Sequence, residues 1–557
     1  MVTKSYSFCL RAVGIVTIAS ILLVPTIASR ANDGQWKWDG EWKLGGEWKL
    51  GGQNLNNTRN QATERYLKPE NVASLSPKWV FTTGGEISAT PAVVDGAVYL
   101  PDWAGNLFKI DAQTGAQIWS NTIANYINDP SIPPASSGTP YSTIPIAMSR
   151  TSPAVKGNKV IIGSQGGAYL MAINKDTGKL IWKTKLDSHP TAIITQSPAI
   201  YGNRVYVGVA SLEEGEAFVN PNYECCTFRG SMASVDLTTG KILWKTYTVP
   251  DNGGLPGGYS GASVWGSTPA IDPKRNSVYI ATGNNNDVPQ TAKDCIANLS
   301  SPTPSDESQC LDPNNHVDAI MALDLDTGAI KWSNKLEGYD TWTVSCQFGI
   351  ARNCPDPQGE DYDFAQAPML FTVKNAGQRR DLIGAGQKSG VFWALDPDSG
   401  QIVWSQIVGP GGTSGGIQWG SATDGQQIYV AIVNTQSQEY KLQPSGETTT
   451  AGSWSALDAA TGKIIWQTAD PAGAKDEGPM TVANGVVYAG SMASGQGANN
   501  MYALEAKTGK ILWGFNSGGS VVAGAAVVNG TVYWGSGYSR YGKGTFNNKL
   551  YAFTVSK

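Results

Sequence analysis

Cysteine and histidine, the side chains that most often carry redox and metal chemistry, are scarce in this 557-residue chain: seven cysteines and two histidines. Two of the cysteines nonetheless stand side by side, in Tyr223-Glu224-Cys225-Cys226-Thr227-Phe228-Arg229-Gly230. Across a trans peptide their α-carbons would be about 3.8 Å apart, below the ~4.4–6.8 Å usual for disulfides, so a bridge between them would close a small strained ring. Such a ring is easier to reduce than an ordinary structural bridge. With only His189 and His316, and no paired C-x-x-C, the chain offers no convincing zinc site. Cys9 precedes an apolar N-terminal run. The other six cysteines are Cys225, Cys226, Cys295, Cys310, Cys346 and Cys354, and sequence proximity favours 225–226, 295–310 and 346–354 among about 15 pairings.

An even cysteine count suits an exported protein, and the N-terminus agrees. Lys4 and Arg11 precede the apolar run from Ala12 to Val24, Pro25 breaks it, and Ser29-Arg30-Ala31 has the small-x-small form of a signal-peptidase site. Residues 1–31 are expected to be a signal peptide. The run is too short to span a hydrocarbon core of about 30 Å, so a periplasmic or secreted protein without a membrane anchor is expected. A net charge of -4 supplies no basic stripe for a phosphate backbone, which argues against nucleic acid as a partner.

The elements that would position any site are legible as repeats. Sixty-five glycines, 19 tryptophans and 22 tyrosines with only 15% charged residues describe many short strands joined by tight turns. One tag recurs seven times: IDAQTGAQIW, INKDTGKLIW, VDLTTGKILW, LDLDTGAIKW, LDPDSGQIVW, LDAATGKIIW and LEAKTGKILW, ending at Trp119, Trp182, Trp244, Trp332, Trp404, Trp466 and Trp513. Asp or Asn at its head and Thr/Ser-Gly at its centre supply a side-chain-capped turn with a positive-φ glycine, and the apolar residues with Trp make the outgoing strand. A second hairpin of the form S/T-P-A-V-x-x-G-x-V-Y precedes each tag, and an eighth lies near the C-terminus, followed only by NKLYAFTV. Trp79 in SPKWVF stands where an eighth tag tryptophan belongs. The pattern predicts an all-β, eight-bladed propeller of four-stranded antiparallel sheets, its last blade closed by both chain ends so that no sheet edge is left open. The long intervals, Trp244 to Trp332 and Trp332 to Trp404, hold insertions that each carry one expected disulfide, and such pinned loops commonly build binding sites. Residues 32–52, with EWKLGG in tandem at 41–52, read as a flexible lead-in left by a slipped duplication, with 53–557 as the propeller. The sharper reading is a partner or membrane anchor through Trp36, Trp38, Trp42 and Trp48.

The tag around an eight-bladed propeller resembles the tryptophan-docking repeat of quinoprotein alcohol dehydrogenases, which use pyrroloquinoline quinone (PQQ) and calcium. NNTRNQATE, EISATPAVVDGAVYLPDWAGNL, CCTFRGS, YTVPDNGGLPGGYSGASVWGSTPAID, ATGNNND and GAGQKSGVFWALDPDSG are similar to the polyvinyl alcohol dehydrogenase group, and the resemblance covers residues 53–555. It implies that Trp265 lies flat beneath the quinone, as a large rigid ring can, and that Asn284 ligates calcium through its side-chain oxygen. The metal's carboxylate would be Glu213, with Glu214 and Glu224 as rivals. Asp340 would be both a metal ligand and the base that takes the alcohol proton as hydride passes to the C5 carbonyl carbon of the quinone, with Asp361 and Asp363 as alternatives. Lys388 would stabilise charge on the quinone oxygens. Arg150 would pair with a cofactor carboxylate, Thr195 and Ser197 would bond the others, and Trp419 would line the same funnel. The Cys225–Cys226 bridge would be a rigid wall over the quinone, opposite Trp265. No C-x-x-C-H occurs, so electrons are expected to pass to a separate acceptor such as cytochrome c, and the expected activity is oxidation of a secondary alcohol or polyol, polymeric ones included, to a ketone. The alternatives are a noncatalytic propeller scaffold and a polymer- or glycan-binding module.

Overall fold

The computed structural model describes residues 46–135, 146–375 and 377–555; the signal-peptide expectation and Trp36, Trp38 and Trp42 lie outside them. The tag folds as its chemistry requires. In the first copy Asp111 Oδ1 accepts from the N–H groups of Gln113 (3.0 Å) and Thr114 (2.8 Å) and from the Thr114 hydroxyl (2.8 Å). Asn174, Asp236, Asp324, Asp396 and Asp458 repeat the arrangement. The glycine that follows has positive φ, from +69° at Gly178 to +76° at Gly115, Gly240 and Gly462, a region open chiefly to glycine.

These turns also join blade to blade. A Cβ on Gly328 would fall 2.6 Å from the ring of Trp244, in the preceding blade, and Gly115, Gly178, Gly240, Gly400, Gly462 and Gly509 meet Trp79, Trp119, Trp182, Trp332, Trp404 and Trp466 in the same way. Most of these indoles then donate to a main-chain carbonyl of the next blade, as Trp182 does to Leu237 (3.0 Å) and Trp244 to Leu325 (3.0 Å). Trp513 donates to Leu75 (3.0 Å), which closes the ring.

Among the described residues eight such sheets stand in sequence. Blade 1 comprises Ala92–Val94, Ala97–Pro101, Asn106–Asp111 and Gln117–Thr122. Blade 8 takes three strands from the C-terminus, Ala526–Val528, Thr531–Gly535 and Lys549–Val555, and its outer strand, Leu75–Thr82, from near the N-terminus. Trp79 pairs with Ala552 in that sheet. The expected propeller and its two-ended closure are therefore what the chain forms. Its core lies mostly between neighbouring blades, as where Ile161 and Ala172 of blade 2 share one apolar cluster with Val207 and Ala233 of blade 3.

Both insertions lie beside the axis-facing loops. The first carries helices Gln290–Ala297 and Pro304–Gln309 and the Cys295–Cys310 bridge over a small apolar cluster of Val288, Ile296, Leu311 and Tyr339. The second, with helix Val344–Gln347 and the Cys346–Cys354 bridge, packs on the blade 3 helix Glu213–Val219. Asn353 Nδ2 donates to the carbonyls of Ala217 (3.0 Å) and Tyr223 (2.9 Å), and Phe218 stacks on Phe348 at 4.6 Å.

The flexible lead-in is corrected for its last residues. Trp48, in the second EWKLGG copy, is fully buried and exchanges two main-chain hydrogen bonds with Val93. The chain then runs around the axis, bonding Val155, Ile271, Leu370, Thr423 and Val482, and Gln61 Nε2 donates to the carbonyl of Val527. These partners lie on the innermost strands of blades 2, 4, 5, 6, 7 and 8, so the segment is part of the propeller; burial of its apolar residues and pairing of its peptides outweigh chain entropy. Trp48→Ala is expected to cost about 3–5 kcal/mol in urea unfolding. Gly328→Ala, which combines unfavourable φ with a clash on Trp244, should cost about 1–3 kcal/mol.

Candidate active site

Trp265 stands where two unlike environments meet. Its indole N–H donates to Asp363 Oδ2 (2.9 Å), and the Lys388 ammonium lies 5.5 Å from its ring centroid. On the other side its carbonyl accepts from the Thr195 hydroxyl (3.1 Å), and Trp419 packs edge-on at 5.2 Å. The indole is thus pinned through its N–H, and the Trp265 main chain through its carbonyl.

The acid side is crowded. Lys388, nearly buried, donates to Asp361 Oδ1 (2.8 Å) and Asp363 Oδ2 (3.4 Å). Burial works against its charge, but Asp361 and Asp363 hold the ammonium well above the ordinary lysine range. Asp363 also accepts from the Asn284 N–H. Asn284 Nδ2 spends its protons on the carbonyls of Asn285 and Trp342 (2.9 Å each), which leaves Oδ1 as its remaining polar group. Burial first, and then Asp363, push the Glu214 carboxyl up to about 8.

The expectation that Glu213 is the carboxylate ligand does not match this geometry. Glu213 is fully buried, and its oxygens accept from Tyr223 Oη (2.6 Å), the N–H groups of Thr227 (2.7 Å) and Phe228 (3.0 Å), and Asn286 Nδ2 (3.1 Å). Burial alone would raise its carboxyl; these bonds and His189 hold it below the usual range. Glu213 fastens the Cys225–Cys226 loop to its helix. Adjacent helical residues project about 100° apart, so Glu214, one position on, turns instead to Asn284 and Asp340. Glu224 is exposed.

Asp340, the expected base, is occupied by main-chain donors. Asp340 Oδ1 accepts from the Asp361 N–H (3.0 Å) and Oδ2 from the Tyr362 N–H (2.6 Å), so this carboxylate shapes the loop carrying Asp361 and Asp363, and Lys388 pairs with those two. Asp361 sits at φ +61°, uncommon for a non-glycine residue. Sequence reasoning missed buried Asp318 altogether; burial, Asp340 and Asp363 raise its carboxyl far above the usual range. Its place in the strand-flanking VDAIMALD gave no sign of that neighbourhood.

The opposite side is a small cavity whose lining includes Arg59, Arg150, Thr195, Ser197, Thr268 and Trp419, and no carboxylate. Arg150 stacks 4.3 Å from the Trp419 ring. The indole N–H of Trp419 and the hydroxyl of Thr268 are buried without a partner among the described residues. Orphaned donors and guanidinium groups are what a polyanionic, planar ligand requires. Cys225 and Cys226 are bridged, Cys226 fully buried, and the peptide joining them is cis, against the trans geometry assumed from sequence.

Residues 48–410 match the family model for the β-propeller domain of PQQ glucose/ethanol/alcohol dehydrogenases. The chain belongs to that family. It is 29% identical to the polyvinylalcohol dehydrogenase of a Pseudomonas species over 88% of this chain and 74% of that protein, and 28% identical to that of Sphingopyxis sp. strain 113P3 over 87% and 73%. The crystal structure of quinohemoprotein alcohol dehydrogenase from Comamonas testosteroni shares the fold, with a TM-score of 0.64 at 21% identity over 92% of this chain and 80% of that one. Residues 387–549 also match the model of the outer membrane assembly factor BamB. Members of the dehydrogenase family are oxidoreductases, and PQQ suits the donor-lined cavity beside Trp265.

Glu214, Asn284 and Asp340 are the residues that would hold a calcium ion, although among the described residues no three His, Cys, Asp or Glu side chains are arranged to hold a metal ion by themselves. Hard oxygen donors, two of them carboxylates with a neutral amide, fit a calcium ion that completes its shell from a ligand. Glu214→Gln should abolish calcium binding measured by calorimetry, whereas Glu213→Gln should retain it and cost about 1–3 kcal/mol of stability. The raised Glu214 carboxyl gives a pH sign. The folded apo-protein holds this proton more tightly than the unfolded chain, so its contribution is present below the ordinary carboxylate range and lost as pH rises through about 8. Calcium should therefore bind more tightly, and stabilise the protein more, at pH 8 than at pH 6.

Proposed function

We propose that the protein is an exported, PQQ- and calcium-dependent dehydrogenase of secondary alcohols or polyols, polyvinyl alcohol among them, that passes electrons to a separate acceptor such as a cytochrome c. One observation carries the chemistry: Lys388, Asp361 and Asp363 converge on Trp265, which on its other side touches Thr195 and Trp419 of a cavity lined by donors. The polymer reading rests on the two polyvinylalcohol dehydrogenases that the chain resembles over most of its length. Three disulfides support an oxidising compartment, and among the described residues no helix is long and apolar enough to cross a membrane.

PQQ, when bound, would supply an ortho-quinone able to take a hydride, and with it two electrons, from an alcohol carbon. The protein's part is positional and electrostatic. Trp265 gives a flat seat whose ring is held by Asp363 and packed edge-on by Trp419, with Thr195 bonding its main chain. Arg150 and the hydroxyls of Thr195 and Ser197 would hold carboxylates at the far end of that seat. Lys388 stays charged and stabilises negative charge developing at its end. Asp361, whose carboxyl burial raises well above the usual range while Lys388 draws it back in part, would accept the alcohol proton, with Asp340 fixing its loop. Glu214 and Asn284 would hold calcium beside them. The Cys225–Cys226 loop, tied down through Glu213, would cover the site and limit water.

The match to BamB over residues 387–549 keeps a noncatalytic scaffold as the second reading. The test is dye-linked alcohol oxidation by protein loaded with PQQ and calcium, across secondary alcohols, diols and polyvinyl alcohol. Turnover is expected, with kcat lowered about 10²–10⁴-fold in Asp361→Asn and less in Asp340→Asn. Tight PQQ binding with no alcohol-dependent dye reduction would reject the dehydrogenase in favour of a scaffold or binding protein.

A further inference from the structure

Arg59, in the NNTR turn of the axial segment, is 3% exposed and has no ion pair with any described carboxylate. Nε donates to the Met480 carbonyl (2.9 Å) and one terminal nitrogen, Nη2, to the Thr90 hydroxyl (2.8 Å); Nη1 has no hydrogen bond to a described residue. The guanidinium lies against bare backbone: a Cβ on Gly524 would come within 2.2 Å of Nη2, and one on Gly420 within 3.1 Å of Cδ. Burial draws its pKa down to about 10, still far above neutrality, so the charge persists. A buried charge without a counter-ion costs several kcal/mol, and the fold has spent its N-terminal segment on placing this one.

The surroundings are matched to it. Thr90, Ser152, Ser197 and Thr268, each the residue before the proline of a blade's first hairpin, bring hydroxyls from blades 1 to 4 into the same cavity. Ser152 Oγ accepts from the Thr90 N–H (3.0 Å) and Ser197 Oγ from the Ser152 N–H (2.9 Å), while Thr90 accepts from Arg59. None of these three hydroxyls donates to a described residue, and Thr268 has no partner at all. The cavity therefore presents a fixed guanidinium and four unused O–H donors, with no acid among its lining residues.

We propose that this axial cavity is an oxyanion site in which Arg59 and the Ser/Thr-Pro hydroxyls of blades 1 to 4 hold a carboxylate-type anion. Two sources share that chemistry. One is a carboxylate of the PQQ cofactor, which rests on the reading of function above; Arg59 would then be a second cofactor arginine beside Arg150. The other is a small free oxyanion that neutralises the axis independently of the cofactor.

Full-length apo-protein, wild type and Arg59→Met, is titrated with PQQ, followed by tryptophan fluorescence, and separately with sodium acetate and sodium phosphate, followed by thermal unfolding at constant ionic strength. A PQQ affinity about 10–100-fold weaker in Arg59→Met assigns the cofactor carboxylate. Stabilisation by acetate or phosphate in the wild type alone, with equal PQQ affinity, assigns the free oxyanion. Equal PQQ affinity and equal anion response in both proteins overturn the proposal. Failure of wild-type protein to bind PQQ defeats the functional reading and leaves the acetate and phosphate arm decisive. If Arg59→Met does not fold, Thr268→Val replaces it, with the same weakened binding or lost stabilisation expected and unchanged values overturning the site.

Discussion

Everything in this molecule depends on the contact between a tag glycine and the tryptophan of the blade before it. The glycine must take positive φ to make the Asp-capped turn, and it must lack a Cβ because the indole occupies that space. One residue thus satisfies a local and a long-range condition together. Repeated around the ring, the contact sets the spacing and tilt of every blade, and with them the convergence of inner loops on the axis. Trp513, donating to Leu75, applies the same geometry at the junction of the two chain ends, which is why the ring closes without an exposed edge.

On that frame the protein builds two opposed electrostatic environments around Trp265. Donors and guanidinium groups collect on the side of Arg59, Arg150 and Thr268, and carboxylates gather around Lys388 and Asn284 on the other. Each is costly alone, since buried like charges and orphaned donors oppose folding. A ligand with anionic groups at one end and a cation bound at the other offsets both costs. The same apo-state cost gives the site its selectivity for such a ligand.

The insertions and the axial segment are what hold these environments in place. The 346–354 loop braces the helix bearing Glu213 and Glu214. Glu213 in turn fixes the adjacent cysteines through the N–H groups of Thr227 and Phe228. The axial segment bonds the innermost strands of seven blades and carries Arg59 to the centre. Residues far apart in sequence are in this way made to share one small volume.

The sequence by itself determined the propeller, its eight blades and its two-ended closure, because turn chemistry and tryptophan spacing are local signals repeated often enough to be unambiguous. It also singled out Trp265, Asn284, Lys388, Arg150 and Trp419, which stand in short motifs close to strand ends and which the fold brings near one another. Only the tertiary structure separates Glu213, bonded to the Thr227 and Phe228 N–H groups, from Glu214, which turns to Asn284 and Asp340, since one step along a helix changes which wall a carboxylate faces. It set Asp361 and Asp363, and not Asp340, against Lys388, because a disulfide-bearing insertion brings the later aspartates back onto it. It also turned the second EWKLGG copy from a lead-in into an axial brace. In each case the deciding contact joins residues on different blades, and no pattern along a single stretch of chain encodes which blades will meet.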